Sequence, residues 1–320
     1  MKAVERRFAY ASRLSDPSED NKVFSSAAED RKARSISQKG NAGKPSGTRK
    51  LIGLPRTNSN GSELFEVIEP LHSAKDIVLD RENFRLLTGV VEEFRRGDDL
   101  RRYGLVPRSK LLFCGPPGCG KTLCAEVLAY EMKMPLIVAR LDGIITTYLG
   151  ETASNLRKMF DAAQSGSAVL FLDEFDALAR TRSDASEHNE IRRVVNSLLK
   201  LIDDFHGRGI LVAATNLQST IDAAAWRRFD EVILFKRPTK LQIKRLLEIK
   251  LRNFETFLSF DEFLEDLNGM SYAEIERICI SAIKREIING KSTLSKHTFK
   301  SSILDEKRRI AIRGSISNPE

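Results

Sequence analysis

The chain has 320 residues, of which 41% are hydrophobic and 30% charged, and its formal net charge is +8. This composition excludes collagen-like and wholly disordered chains and leaves room for one large α/β domain with a smaller companion. The longest purely apolar runs, such as Ala168–Leu172 and Ile210–Ala214, hold five residues, against the roughly 20 that a membrane-spanning helix needs.

In chain order, Val4, Phe8, Ala11 and Leu14, then Val23, Phe24, Ala27 and Ala28, are spaced for two short amphipathic helices, with Asp16, Pro17 and Ser18 as the turn between them. Met1–Tyr10 carries four charges and is followed by no apolar stretch with a cleavage site, so no secretory signal and a cytoplasmic location are expected. From Ser35 to Asn60 the chain turns to Ser, Gly, Asn, Pro and Lys, the chemistry of a flexible tether. Residues 1–60 hold 13 Lys and Arg against 6 Asp and Glu, so +7 of the net charge lies in this extension and the remaining 260 residues carry +1.

Beyond Leu64, apolar β-rich runs at Lys110–Cys114, Leu136–Arg140, Ala168–Leu172, Ile210–Ala214 and Glu231–Phe235 alternate with helical patterns. Strands this apolar, separated by helices, predict an α/β fold with a parallel sheet covered on both faces. The clearest helix runs from Glu187 to Asp204, with Ile191, Val194, Val195, Leu198, Leu199 and Ile202 on one stripe. After Pro238 the strand signal stops, and Ile243, Leu246, Leu247, Leu251, Ile275, Ile278, Ala282 and Ile287 read as helices. The expected division is a basic, weakly helical extension over 1–45, a linker over 46–64, a large nucleotide-binding α/β domain over 65–237, and a small all-α lid domain with its tail over 238–320.

Gly115-Pro116-Pro117-Gly118-Cys119-Gly120-Lys121-Thr122 follows a strand and opens a helix, the context a phosphate-binding loop requires. Its glycines allow backbone N–H groups to converge on phosphate oxygens at a positive helix end. Lys121 would reach the β- and γ-phosphates of ATP, and the Thr122 hydroxyl would ligate Mg²⁺. The run Val169–Leu172 then ends in Asp173 and Glu174. Asp173 suits Mg²⁺ coordination through water and Glu174 suits polarising a water for attack on the γ-phosphate; the alternative is a solvated turn. Cys114, Cys119, Cys124 and Cys279 show no metal-ligand pairing and read as buried thiols.

In this order the motifs resemble the AAA ATPase family, over about Glu66 to Ile288. The resemblance implies a P-loop NTPase sheet followed by a helical lid. It also implies a sensor role for Asn216, in Ala214-Thr215-Asn216, toward the attacking water or γ-phosphate. The segment from Ile221-Asp222 through Trp226-Arg227-Arg228-Phe229-Asp230 resembles the one that ends in arginine fingers. Arg227 and Arg228 would act on the nucleotide of a neighbouring copy; the alternative is a surface arginine pair. Gly269-Met270-Ser271-Tyr272-Ala273-Glu274-Ile275 resembles the start of the lid helix, with Ala273 where other ATPases of the superfamily place an arginine and Tyr272 where a small residue is usual. Ile77 and Val78 occupy the adenine-flanking position, and Cys119 replaces a commoner threonine, placing an oxidisable thiol beside the phosphates.

Tyr148-Leu149-Gly150-Glu151, before a helix expected to be capped by Thr152, resembles the pore loop of AAA protein translocases. Tyr148 and Leu149 would grip a polypeptide in the channel of an ATP-promoted homo-oligomer, a hexamer in the family; the alternative for Tyr148 is a packed loop aromatic. His188 falls in a polar stretch, either a second pore loop or solvated surface. A single module behind a short helical region resembles the group of spastin, katanin and the ESCRT-disassembly ATPase, and related stand-alone bacterial members. The implied function is remodelling, unfolding or disassembly of a protein client. The chain has no zinc-protease HExxH, so any coupled protease would be a separate chain. The alternatives are a nucleic-acid-associated ATPase recruited through the basic extension, and a nucleotide-regulated scaffold that does not turn over. The extension also suits recruitment to an acidic partner.

Overall fold

The computed structural model describes residues 65–141, 149–176, 188–206, 208–216 and 226–317. Among these residues six strands form one sheet: β1 (Phe65–Ile68), β2 (Lys110–Cys114), β3 (Leu136–Arg140), β4 (Val169–Asp173), β5 (Ile210–Thr215) and β6 (Glu231–Leu234), in the order β1-β3-β4-β5-β2-β6. Strands β3, β4, β5, β2 and β6 are parallel, and β1 joins the β3 edge antiparallel. The expected strands fall within a residue of those observed. The edge strand β1 makes the sheet mixed, not purely parallel; four residues with one buried side chain at Phe65 carry too little periodicity to read.

Alternation along each strand builds two apolar layers. Leu112, Ile137, Leu170, Leu172 and Leu211 face one side, where they pack with Leu156, Met159 and Phe160 of helix α4 (Leu149–Gly166) and with Val194, Leu198 and Ile202 of α5 (His188–Asp203). Leu111, Phe113, Val169, Phe171, Ile210 and Val212 face the other, against Leu87, Val90 and Val91 of α1 (Arg81–Arg95) and Cys124, Val127 and Leu128 of α3 (Lys121–Met132). A period of two with both faces covered is what a buried parallel sheet imposes. Helix α5 starts and ends within one residue of expectation. Helix α4 begins at Leu149 and takes in Thr152, which is therefore not its cap; its apolar stripe outweighs the propensity cost of Gly150, about 1 kcal/mol. The short α2 (Gly97–Arg102) links α1 to β2.

After β6, the helices α6 (Lys240–Leu251), α7 (Leu264–Leu267), α8 (Tyr272–Ile288) and α9 (Lys296–Ser317) gather Ile243, Leu247, Phe263, Ile275, Phe299 and Ile303 into a third apolar cluster. The rings of Phe263 and Phe299 meet edge to face at 4.9 Å. Thr239 with Gln242 and Ser271 with Glu274 form capping boxes that start α6 and α8. Against the all-helical expectation, β7 (Glu255–Thr256) and β8 (Thr293–Leu294) form a parallel pair, two residues each and invisible to any periodicity. No helix among the described residues is long and apolar enough to cross a membrane.

Candidate active site

The loop between β2 and α3 lies at the carboxyl ends of the parallel strands, where α/β sheets place their ligands. Two constraints shape it. A Cβ on Gly115 would fall 2.1 Å from the Phe235 carbonyl oxygen, so only glycine lets β2 leave the sheet beside β6. Gly120, the N-cap of α3, sits at φ 91°, which points the helix start back into the loop. Gly118 is pressed from the C-terminal helical part: a Cβ there would meet the Ser271 Oγ at 2.9 Å and the Ala273 Cβ at 3.2 Å. The Ala273 N–H donates to the Gly118 carbonyl at 3.1 Å. Pro117 and Gly118 are exposed, Pro116 is half-buried and Cys119 is buried.

Lys121 is 7% exposed. Its Nζ donates to the carbonyls of Gly115 at 2.6 Å and Pro116 at 3.0 Å and to the Asn216 Oδ1 at 2.8 Å. Burial pushes its pKa below the usual lysine value, while the nearby Asp173 and Asp176 carboxylates pull it back. Lys121 and Asn216, 95 residues apart, thus meet at the mouth of the loop. Thr122 is exposed in the first turn of α3. Asp173 ends β4 and its Oδ1 accepts from the Glu174 N–H at 2.9 Å. Glu174 has φ 56°, a left-handed backbone rare outside glycine. The hydroxyl of Thr122 and the carboxylate of Asp173 are hard oxygen donors of the kind Mg²⁺ takes.

The match to known proteins follows this geometry. Residues 111–237 fit the model of the ATPase family associated with various cellular activities, AAA. An uncharacterized AAA family ATPase of Sinorhizobium fredii is 51% identical over 261 residues, covering 82% of this chain and 78% of that protein. The chain belongs to the AAA ATPase family. It is therefore a nucleotide-binding ATP hydrolase. A cell division cycle protein 48 homolog of Archaeoglobus fulgidus is 34% identical over 63% of this chain, and the protein SAV of Sulfolobus acidocaldarius 33% identical over 74%. The aligned segments span 28% and 32% of those two proteins.

The other expected positions in this AAA module separate into those brought to the loop and those held away. Ile77 is buried in the sheet-side cluster that also holds Cys119, and Val78 packs against the C-terminal cluster. Tyr272 packs against both, so the expected base-flanking residues lie along the seam between the sheet and the C-terminal helices. The Cys119 thiol is 4% exposed, and burial raises its pKa, which disfavours the reactive thiolate form. All four cysteines are buried free thiols.

Arg227 and Arg228 enter at the other end of the sheet. Asp230, two residues later, accepts from the N–H groups of Ser109 at 2.8 Å and Lys110 at 2.9 Å, at the start of β2. Arg227 is exposed, whereas the Arg228 Nε is 3.0 Å from an oxygen of Asp203 at the end of α5. Tyr148 lies outside the described residues, as do Ile221, Asp222 and the extension 1–64; Leu149 and His188 are the first residues of α4 and α5.

Sequence reasoning missed Asp176. It is 1% exposed, and its Oδ1 accepts from the Thr215 hydroxyl and the Asn216 N–H, each at 3.4 Å. A third acid in the run Asp173-Glu174-Phe175-Asp176 was the available signal. It also missed Ser271, whose contact with Gly118 is long-range and leaves no local pattern.

Proposed function

We propose that this ATPase works as a ring-shaped homo-oligomer, a hexamer, that hydrolyses Mg²⁺-bound ATP to remodel, unfold or disassemble a protein client. In this reading Gly115 through Thr122 cradle the phosphates. Thr122 and Asp173 would hold Mg²⁺, the latter by way of water, and the ion would supply neutralisation of phosphate charge. Lys121 turns from its carbonyl acceptors toward the β- and γ-phosphates, a burial cost that the anion repays. Glu174 draws the proton from the attacking water, and Asn216 orients that water. Residues 65–237 and 238–320 act as body and lid, and the basic residues 1–45, joined through 46–64, recruit an acidic partner.

The observation that carries the oligomeric reading is the position of the arginines. Strand β2 has five residues, so its ends are about 13 Å apart at ~3.3 Å per residue. Asp230 fixes the arginine segment at one end, and the phosphate loop leaves from the other. Arg227 and Arg228 therefore suit a neighbour's γ-phosphate better than their own.

Glu174→Gln tests this. A catalytic base is worth about 10² to 10⁴ in rate; the variant is expected to lose turnover by that factor, retain ATP, and hold a large assembly in light scattering. Unchanged turnover would refute the role of the base, and a monomer with ATP bound would refute the ring. Tyr148→Ala should abolish work on the client captured by the trapped variant and leave hydrolysis nearly intact. DNA- or RNA-stimulated hydrolysis that disappears on deletion of residues 1–60 would favour the nucleic-acid reading.

A further inference from the structure

The segment between β1 and α1 carries Ile77 and Val78, and carboxylates from the phosphate-loop helix hold it down. On α3, the Glu126 carboxylate accepts from the N–H groups of Leu71 at 3.0 Å and His72 at 3.2 Å and lies 2.8 Å from the His72 Nδ1. Glu131 on the same helix accepts from the Ala74 N–H at 3.3 Å. The segment then turns at Asp76. Its N–H donates to the Ser73 carbonyl at 2.9 Å, and its Oδ2 accepts from the Ser73 N–H at 2.9 Å and the Ser73 hydroxyl at 3.0 Å. With Oδ2 so engaged, Oδ1 is presented to the Arg252 Nη2 at 2.8 Å.

Arg252 immediately follows α6, which contributes Ile243, Leu246 and Leu247 to the lid-side cluster. The ion pair therefore joins that cluster to the residue directly before Ile77 and Val78, whose side chains pack to opposite sides of the seam. One chain of contacts runs from α3 through Glu126 and Glu131 to this segment and on through Asp76 to α6.

We propose that Arg252 is a positioning residue for nucleotide binding: by clasping Asp76 it fixes the lid against the base-flanking segment, so that both close on the nucleotide as one unit. The inference rests on the nucleotide site described above. The clasp's hydrogen bonds run to Ser73 and between Asp76 and Arg252, so it acts on the affinity for nucleotide and leaves the chemical step alone. Arg252 is half exposed, with 51% of its side chain accessible, and an exposed pair of this kind shifts an equilibrium by no more than about fivefold.

The test is titration of the full-length chain with a fluorescent ATP analogue, together with steady-state hydrolysis. Asp76→Asn keeps an oxygen for Ser73 and removes the charge; Arg252→Ala removes its partner. Each is expected to raise Kd and KM about two- to fivefold with kcat unchanged. The double variant should bind no worse than either single one, because both remove the same interaction, and Arg252→Lys should recover part of the affinity. Unchanged Kd in the single variants, additive losses in the double variant, or a loss confined to kcat would each overturn the clasp. Failure of the unaltered chain to bind the analogue would instead remove the nucleotide reading, and this inference with it.

Discussion

Replacing Gly115 with alanine isolates what the sheet demands of the phosphate loop. The new Cβ would stand 2.1 Å from the Phe235 carbonyl oxygen, 2.9 Å from its carbonyl carbon and 3.0 Å from its Cβ. Restoring ordinary contact needs a movement of about 1 Å, and Phe235 has little room to give. It is 3% exposed, its N–H donates to the Cys114 carbonyl at 2.7 Å, and its ring packs on Phe113 at 5.0 Å. Overpacking of a tight core costs about 1–3 kcal/mol, and a backbone at φ 148° adds roughly 1–3 kcal/mol for a non-glycine residue. The expected loss is thus about 2–6 kcal/mol, a large part of the 5–15 kcal/mol that typically holds a domain. Gly120→Ala is the control: φ there is 91°, but nothing lies within 4 Å of the added Cβ, so about 1–2 kcal/mol of backbone strain is expected. Urea unfolding followed by circular dichroism measures both. Equal losses in the two variants, or a larger one for Gly120→Ala, would refute the steric account.

Arg227→Ala and Glu174→Gln chains, each inactive alone, should regain hydrolysis when mixed, since one supplies the base and the other the arginine at a shared site; no recovery in an assembly shown to be mixed would count against action between copies. Glu93 accepts from the Arg108 Nη2 at 2.6 Å and Nε at 2.9 Å. Burial opposes its charge, but the Arg108 hydrogen bonds and charge hold its pKa below the ordinary 4.5. A depressed carboxylate contributes stability above the unfolded-state value and loses it as pH falls through the folded one, so Glu93→Gln should flatten the acid limb of a thermal-denaturation profile below about pH 4.5. Glu174→Gly should be at least as stable as the natural chain while losing hydrolysis, whereas glycine at an ordinary position costs about 0.5–1 kcal/mol; a loss of that size would show that φ 56° carries no strain.

The phosphate loop could be read from sequence because its chemistry needs contiguous residues: glycines where N–H groups converge, then the lysine and the hydroxyl at a helix start. The central strands were legible because burial on both faces leaves nearly unbroken apolar runs. What escaped was built from partners far apart. Asp76 and Arg252 are separated by 176 positions and Asn83 and Leu234 by 151, and neither pair leaves a mark on its own neighbourhood. The same holds for Ser271 against Gly118, where Gly269–Ile275 was readable as a helix start but the second use of Ser271 as a wall of the loop was not. Edge strand β1 was missed for a different reason: one buried side chain in four residues is below what any periodicity detects.

Three non-glycine residues among those described have positive φ: Lys133, Ser167 and Glu174. Two have a local explanation. Lys133 is the left-handed C-cap of α3, its N–H returned to the Ala129 and Tyr130 carbonyls, and Ser167 directly follows the end of α4; a left-handed residue at a helix end satisfies carbonyls that would otherwise lack donors. Glu174 follows a strand and, among the described residues, caps no helix. Its turn is held on both sides, by its own N–H on the Asp173 carboxylate at 2.9 Å and by the Phe175 N–H on the Ala214 carbonyl at 2.8 Å. Ala214 is two residues before Asn216, which accepts from Lys121. The strain at Glu174 is thus fixed by the strand that carries the proposed sensor, and that strand in turn contacts the lysine of the phosphate loop. Backbone strain that caps none of the described helices, held by two neighbouring strands at the carboxyl edge of the sheet, is of the kind that collects at functional sites, and it supports the proposal of Glu174 over Asp173 as the base.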